Sequence, residues 1–354
     1  MLLINPFGVG DVLFTMPLAE ALRAAGVSVI GFICNERTAD LVRMNTAIDR
    51  TYLFNRDRYR KLLKRHPFLF YRKLRAFLSL IKEERYDAVL DLSLGRQYAF
   101  FTTLIGIRQR IGFDYKGRGT FLTKKIRLAG YEGRPVAESQ LDLLSLLGIS
   151  RPKELPQLSL RVPESVRGDV EALLRNKGLR EPDRFLAVAP GGGRTWGSNS
   201  VYKQWDPAHF AKAADEFCLS SVPPKKALLL GERSETELLE RVKALMKTPT
   251  AVVSFAPLDQ VSGLLLRSDA LLCNDGGLMH LANALGVKTV SIFGPVDEKV
   301  YGPYGGPAPR EVLTQAVPCR PCYSKFHFPP CSYERRCLTE LPVETVVRAL
   351  KKIA

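Results

Sequence analysis

Residues 270–295, ALLCNDGGLMHLANALGVKTVSIFGP, leave little freedom of fold. Residues 270–273 form an uncharged apolar run that Asn274-Asp275-Gly276-Gly277 breaks. Residues 278–285 carry helical spacing and stop at Gly286, and residues 289–293 are β-rich again before Gly294-Pro295. Two strands joined by a helix are normally parallel, so the Asp-Gly-Gly turn falls at a strand's carboxyl end, where open α/β sheets bind ligands. Glycines let a ligand approach the backbone closely, and the following helix offers unpaired N–H groups to an anion. The segment predicts a site for a phosphorylated ligand with Asp275 and His280 beside it. The pattern alone suits equally a helix cap at Asp275 and a satisfied polar His280 in the first turn. It is neither G-x-G-x-x-G nor a Walker loop.

The rest of the chain repeats the alternation. Residues 1–5 read as a buried strand, 12–25 as a helix ended by Gly26, and 27–34 as the next strand, a βαβ unit with the turn Gly8-Val9-Gly10-Asp11 inside it. Residues 56–84 read as a basic, aromatic helical region broken near Pro67, 86–92 as a strand, and 139–147 as a helix. Prolines at 152, 156 and 163 mark a linker. A second α/β pattern follows, with strands at 185–189, 227–230 and 251–255 and helices at 166–177, 207–217, 235–246 and 258–267. An amphipathic helix at 343–353 closes the chain. The expected division is a domain over 1–160, a second over 161–340 and a C-terminal helix over 341–354, the two domains being doubly wound α/β layers.

Composition fits a globular protein of two domains: 354 residues, 46% hydrophobic and 25% charged. No apolar run approaches the roughly 20 residues a bilayer span needs, and the N-terminus lacks a basic flank and a secretory signal's apolar core. A cytoplasmic protein is expected. The net charge of +16 is uneven, with 26 Lys/Arg against 15 Asp/Glu in residues 1–154. That half is expected to face something anionic. Eleven Lys/Arg fall between Arg56 and Arg85, among them Lys61, Lys64, Arg65, Arg72 and Lys73, interleaved with Tyr59, Phe68, Phe70, Tyr71 and Phe77. An anionic membrane surface attracts such a segment; a solvated helix face is the plainer alternative. No helix-turn-helix, finger or RNP pattern accompanies the charge, so no nucleic-acid partner is expected.

Four turns follow strand ends: Gly8–Asp11, Gly191-Gly192-Gly193, Gly231-Glu232 and Asp275-Gly276-Gly277. Three lie in the second half, which reads as the nucleotide side. Glu232 suits a ribose and Lys203 a phosphate, although an exposed surface pair satisfies the same pattern. Asp11 meets a helix N-terminus, where it is either a cap or a carboxylate kept ionised as a general base. Arg96 and Arg110 are candidates for an acidic acceptor.

In order, Gly10-Asp11-Val12-Leu13, Arg110-Ile111-Gly112-Phe113, Asp275-Gly276-Gly277-Leu278-Met279-His280 and Ser291-Ile292-Phe293-Gly294-Pro295 stand at separations that resemble glycosyltransferase family nine, the ADP-heptose:lipopolysaccharide heptosyltransferases, over about residues 1–350. The resemblance implies a GT-B fold: two Rossmann-like doubly wound domains facing a central cleft, acceptor-binding first and donor-binding second. It implies an inverting transfer of heptose from ADP-heptose to the lipopolysaccharide inner core with no cofactor required for catalysis. Asp11 then matches the base and Gly10 its acceptor-side neighbour. Asp275, Gly276, Gly277 and His280 match the donor motif, Lys203 the phosphate lysine and Glu232 the nucleoside acid. Where the family motif carries Ser or Thr this chain has Gly276, so a backbone amide replaces a hydroxyl. The implied partners are a nucleotide sugar, an acidic lipid-linked glycan and the inner face of the inner membrane.

The cluster Cys319-x2-Cys322-x8-Cys331-x5-Cys337 reads as a structural zinc site, as free thiols, or as a disulfide or redox set. Rival functions are a GT-B enzyme with another nucleotide sugar or acceptor, and a non-catalytic basic protein that binds membrane or RNA. A dinucleotide oxidoreductase is disfavoured, because no G-x-G-x-x-G follows a strand with an acid about 20 residues on.

Overall fold

The computed structural model describes the chain except residues 155, 157, 159 and 181, with the backbone alone at 194, 195 and 198. The chain divides into two compact units, Met1–Ser159 and Leu160–Ala354.

In unit one the elements are β1 (Leu2–Ile4), α1 (Val9–Ala24), β2 (Gly31–Cys34), α2 (Ala39–Met44), β3 (Arg50–Leu53), α3 (Arg56–Arg65), α4 (Pro67–Glu83), β4 (Ala88–Asp91), α5 (Gln97–Leu104), β5 (Gln109–Tyr115), β6 (Lys124–Leu128) and α6 (Val136–Leu141). The strands form one sheet in the order β3-β2-β1-β4-β5-β6, and every pairing is parallel. Leu2, Leu3 and Ile4 are fully buried, as are Val89 and Leu90. Strands covered on both faces need apolar side chains on both, so they read as unbroken hydrophobic runs.

Unit two holds α7 (Glu164–Asn176), β7 (Phe185–Ala189), α8 (Pro207–Ser220), β8 (Lys226–Leu230), α9 (Thr236–Leu245), β9 (Thr250–Val253), α10 (Leu258–Arg267), β10 (Ala270–Asn274), α11 (Gly277–Ala284), β11 (Thr289–Phe293), α12 (Glu298–Tyr301), β12 (Arg310–Thr314), α13 (Arg336–Thr339) and α14 (Val343–Ile353). Its sheet runs β12-β11-β10-β7-β8-β9, again wholly parallel. Val346, Val347 and Leu350 of α14 join Phe210 and Phe217 of α8 in one buried cluster, so the last helix belongs to this unit's core.

Both sheets have the doubly wound order in which the chain fills one side, returns to the centre and fills the other. The strand order therefore reverses between β1 and β4 and between β7 and β10. Adjacent loops there leave in opposite directions and open a crevice at the strands' carboxyl ends.

Three differences from the sequence reading have local causes. Three of the four outermost strands, β3, β6 and β12, are only half-buried or exposed and carry Arg50, Lys124, Lys125 and Arg310. Edge strands tolerate charge, which removes the apolar signal. Residues 194–202, assigned neither helix nor strand above, lie in 3-10 turns over Arg194–Lys203, entered at Gly193 (φ 77°) and kinked at Gly197 (φ 55°). The helix expected at 139–147 is α6 followed by a 3-10 stretch over Asp142–Leu147. No helix among the described residues is long and apolar enough to cross a membrane.

Candidate functional site

The crevice of unit two is built by the turns after β7 and β10. Asn274, the last residue of β10, is 2% exposed. Its Nδ2 donates to the carbonyls of Pro190 (2.7 Å) and Gly191 (3.2 Å), and its Oδ1 accepts the Trp205 amide at 3.1 Å. One buried amide thus ties the glycine turn, the β10 end and the loop carrying Lys203. A Cβ on Gly192 would stand 2.2 Å from the Ser200 carbonyl, and one on Gly191 2.0 Å from a Glu235 carboxylate oxygen. Gly192 is required by the close approach of the Ser200 backbone, whereas the clash at Gly191 is with the far end of a side chain, which can shift. Glu235 accepts the amides of Glu232 (2.9 Å) and Gly193 (3.4 Å), and burial raises its pKa despite them. Glu232 is exposed at the head of this turn.

Lys203 and Asp275 meet here. Lys203 Nζ lies 2.7 Å from Asp275 Oδ2, with side chains 8% and 6% exposed, and 4.7 Å from the centre of the Trp196 ring. His280 projects from α11 into the same buried region. Burial first, and the Lys203 charge second, push its pKa down to about 3, so it is neutral at physiological pH. Gly276 is the residue before α11; its backbone is fully extended, and a Cβ would meet nothing closer than the Asn274 carbonyl at 3.9 Å. The missing hydroxyl is therefore not a steric necessity. The structure brings Lys203, Asp275, Gly276, Gly277 and His280 together around one turn. Asn274, Trp205 and Glu235 were not singled out in the sequence, although Asn274 adjoins the Asp-Gly-Gly turn and Glu235 stands three residues after Glu232.

In unit one, Gly10 and Asp11 lie in the first turn of α1, directly after β1. Asp11 is half-buried, and its Oδ2 accepts the Gly8 amide at 3.2 Å, as a first-turn carboxylate does. Asn5, 1% exposed, donates to the Asp11 carbonyl (2.9 Å) and to Thr15 Oγ1 (2.8 Å), which fixes the turn. Burial, then the Asp11 charge, raises the Tyr131 phenol. Across the crevice, Asp91 ends β4; Ile4 and Asp91 are register partners. Asp91 is 3% exposed and accepts the Ser93 amide at 2.9 Å, and burial lifts its pKa to about 6. Arg96 is exposed at the head of α5, with one contact to the Gly117 carbonyl at 3.4 Å. Arg110 donates instead to the carbonyls of Phe121 (2.7 Å), Ile107 (2.5 Å) and Arg108 (3.3 Å).

On α3 and α4, Lys61, Lys64, Arg65, Arg72 and Lys73 are all exposed. The interleaved aromatics divide. Tyr59, Phe70 and Phe77 pack against the buried cluster of unit one, whereas Phe68 is 81% and Tyr71 63% exposed.

Cys319, Cys322, Cys331 and Cys337 are free thiols. Burial, then the charges of Cys319 and Cys331, raises Cys322; burial, then the other three, raises Cys337 to about 11. The four therefore lie near one another, but among the described residues no group of three or more His, Cys, Asp or Glu is set to hold a metal.

Two doubly wound units, one with a lysine and glycine turns at its switch point and the other with a carboxylate at its own, have the architecture of a GT-B glycosyltransferase. Residues 74–328 match the sequence profile of glycosyltransferase family 9 (heptosyltransferase), and the chain belongs to that family. It is similar to lipopolysaccharide heptosyltransferase 1 of Pseudomonas aeruginosa, 28% identical over 344 residues that cover 94% of this chain and 88% of the relative. The structure of Escherichia coli ADP-heptose LPS heptosyltransferase II superimposes with a TM-score of 0.78 at 20% identity, over 99% of this chain and 97% of that one. E. coli heptosyltransferase WaaC with ADP does so with a TM-score of 0.73 at 20% identity, over 100% and 99%.

Proposed function

We propose that this glycosyltransferase moves heptose from ADP-heptose to the inner core of lipopolysaccharide, inverting the anomeric centre without a catalytic metal. The observation that carries the reading is the Lys203–Asp275 pair, buried beside the glycine turns at unit two's switch point. A buried ammonium held at a known point is what a departing nucleoside diphosphate needs. In the transition state the bond from the sugar's C1 to the β-phosphate oxygen breaks as the acceptor oxygen bonds to C1. Negative charge grows on the diphosphate, and preorganised donors stabilise it without reorganisation. Lys203, the amides of Gly276 and Gly277 and the start of α11 supply them, while neutral His280 adds hydrogen bonding and no charge. Glu232 holds the nucleoside. Asp11 takes the acceptor hydroxyl's proton, a role suited to a carboxylate kept ionised at a helix N-terminus. Of the two arginines, Arg96 is the freer to meet an acidic acceptor.

The acceptor is lipid-linked, and the exposed bases of α3 and α4 with Phe68 and Tyr71 suit an anionic surface. We place the enzyme in the cytoplasm, peripheral on the inner face of the inner membrane. A structural zinc on Cys319, Cys322, Cys331 and Cys337 would stand outside this chemistry, and metal analysis of the purified protein tests it.

Calorimetry with ADP, UDP and GDP, followed by transfer assays with ADP-heptose, tests the donor. ADP is expected to bind tightest. Preference for UDP or GDP would move the assignment to another nucleotide sugar, a shift for which Gly276 in place of the family's hydroxyl residue is the specific ground. Binding of none would overturn the donor site.

A further inference from the structure

Lysine carries its charge on a flexible four-carbon stem, and fixing it costs side-chain entropy. Lys203 is nevertheless held at one point by two groups of different kind. Asp275 faces its ammonium at 2.7 Å, and the Trp196 ring, seven residues earlier in the same loop, lies 4.7 Å away. The carboxylate neutralises charge and occupies a donor. The ring attracts the cation through its quadrupole, does neither, and leaves the other N–H groups to a ligand.

Trp196 is itself braced. Tyr323 packs on it at 4.7 Å and Phe328 at 5.6 Å, and Phe328 also meets Tyr202 at 4.8 Å. Arg335 Nη1 donates to the Val201 carbonyl at 3.0 Å. These braces come from the cysteine-bearing segment, which the proposed chemistry does not otherwise use. That segment is anchored to the turn after β11: the amides of Cys322 and Tyr323 both donate to the Pro295 carbonyl at 3.0 Å. Arg320 donates to the carbonyls of Gly294 (2.7 Å) and Val296 (3.0 Å). One excursion of the chain thus braces the lysine loop against the Gly-Pro turn.

We propose that Trp196 is a positioning residue for a nucleoside diphosphate: backed by Tyr323 and Phe328, its ring holds the Lys203 ammonium in place when the phosphates draw it from Asp275. This rests on the donor-site reading above. Removing the ring lets the lysine disperse, so the loss appears only where Lys203 is present.

The test is a double-mutant cycle read by ADP calorimetry on the full chain, with Trp196→Ala, Lys203→Met and the pair. Trp196→Ala is expected to weaken ADP binding about tenfold in the wild-type background and less than about twofold beside Lys203→Met. Equal losses in both backgrounds would mean that the ring merely packs, and no loss in the wild-type background would equally overturn the inference. Should Trp196→Ala misfold, Trp196→Phe supplies a second reading. The chain has two tryptophans, and Trp205 is fully buried, so ADP is expected to change the fluorescence of the wild type and not that of Trp196→Phe. An unchanged wild-type signal on ADP binding counts against the inference. If the wild type binds none of ADP, UDP and GDP, the donor site itself is misassigned; if it binds ADP and Trp196→Ala is unaffected, only this inference fails.

Discussion

Two aspartates at unit one's crevice differ in burial. Asp11 sits in the first turn of α1, half-buried, with the Gly8 amide on its carboxylate. Replacing it with Asn keeps the cap's shape and removes the base. Transfer should fall by about 10²–10⁴-fold, the usual contribution of a positioned base, while ADP affinity stays unchanged because the nucleotide is assigned to unit two. Full turnover by Asp11→Asn would eliminate it as the base. Asp91 is fully enclosed and its pKa stands at about 6, above the ordinary 3.8. Between those values the folded chain binds more protons than the unfolded one, so this residue's contribution makes stability fall as pH rises from about 4 to 6. The loss is about 3 kcal/mol. Asp91→Asn should therefore be the more stable protein above pH 6, with the difference vanishing near pH 4. Urea denaturation of both proteins at pH 4, 6 and 8 measures this, and equal stabilities at pH 8 would show that the carboxylate is accommodated charged.

At the scale of elements, α3 and α4 divide their side chains by purpose. Leu74 and Ile81 are buried, whereas α3 buries none of its residues, and the exposed faces carry bases. Reversing Lys61, Lys64 and Arg65 to Glu should weaken partition onto anionic vesicles by more than about tenfold at low salt, with no change on neutral vesicles. Cosedimentation decides it, and unchanged binding would leave α3 a solvated helix. Element by element, legibility in the sequence followed burial. The central strands β1, β7, β10 and β11 and the helices α10 and α14 carry unbroken apolar or strongly periodic runs, and their positions were readable. The edge strands β3, β6 and β12 lack that signal. The site divides in the same way. Asp275, Gly277 and His280 stand in one turn and announce themselves. The tie from Asn274 to Pro190 spans 84 residues, and that from Gly193 to Glu235 spans 42. Such contacts come from strand order, which residue spacing does not encode.

At the scale of the whole chain, the same winding occurs twice around separate cores. One buried cluster joins Leu2, Ile4, Phe54 and Val89; another joins Leu186, Trp205, Leu272 and Leu350. A ligand that binds only folded protein stabilises the unit that holds it by mass action. All of the assigned donor residues, from Lys203 to His280, belong to Leu160–Ala354. ADP at about 100 times its Kd should add about 2.7 kcal/mol to that unit alone. For a unit of that size the gain raises its unfolding temperature by roughly 5–10 °C. Scanning calorimetry should show two components, with ADP moving one. Hydrogen exchange then identifies which, since amides of β7, β10 and α11 should gain protection while those of β1 and β4 do not. Asp11→Asn should respond to ADP as the wild type does, and Lys203→Met should respond less. Equal protection of β1 and β10 by ADP would mean that the nucleotide contacts or couples both units, and the assignment of the donor to the second would have to be given up.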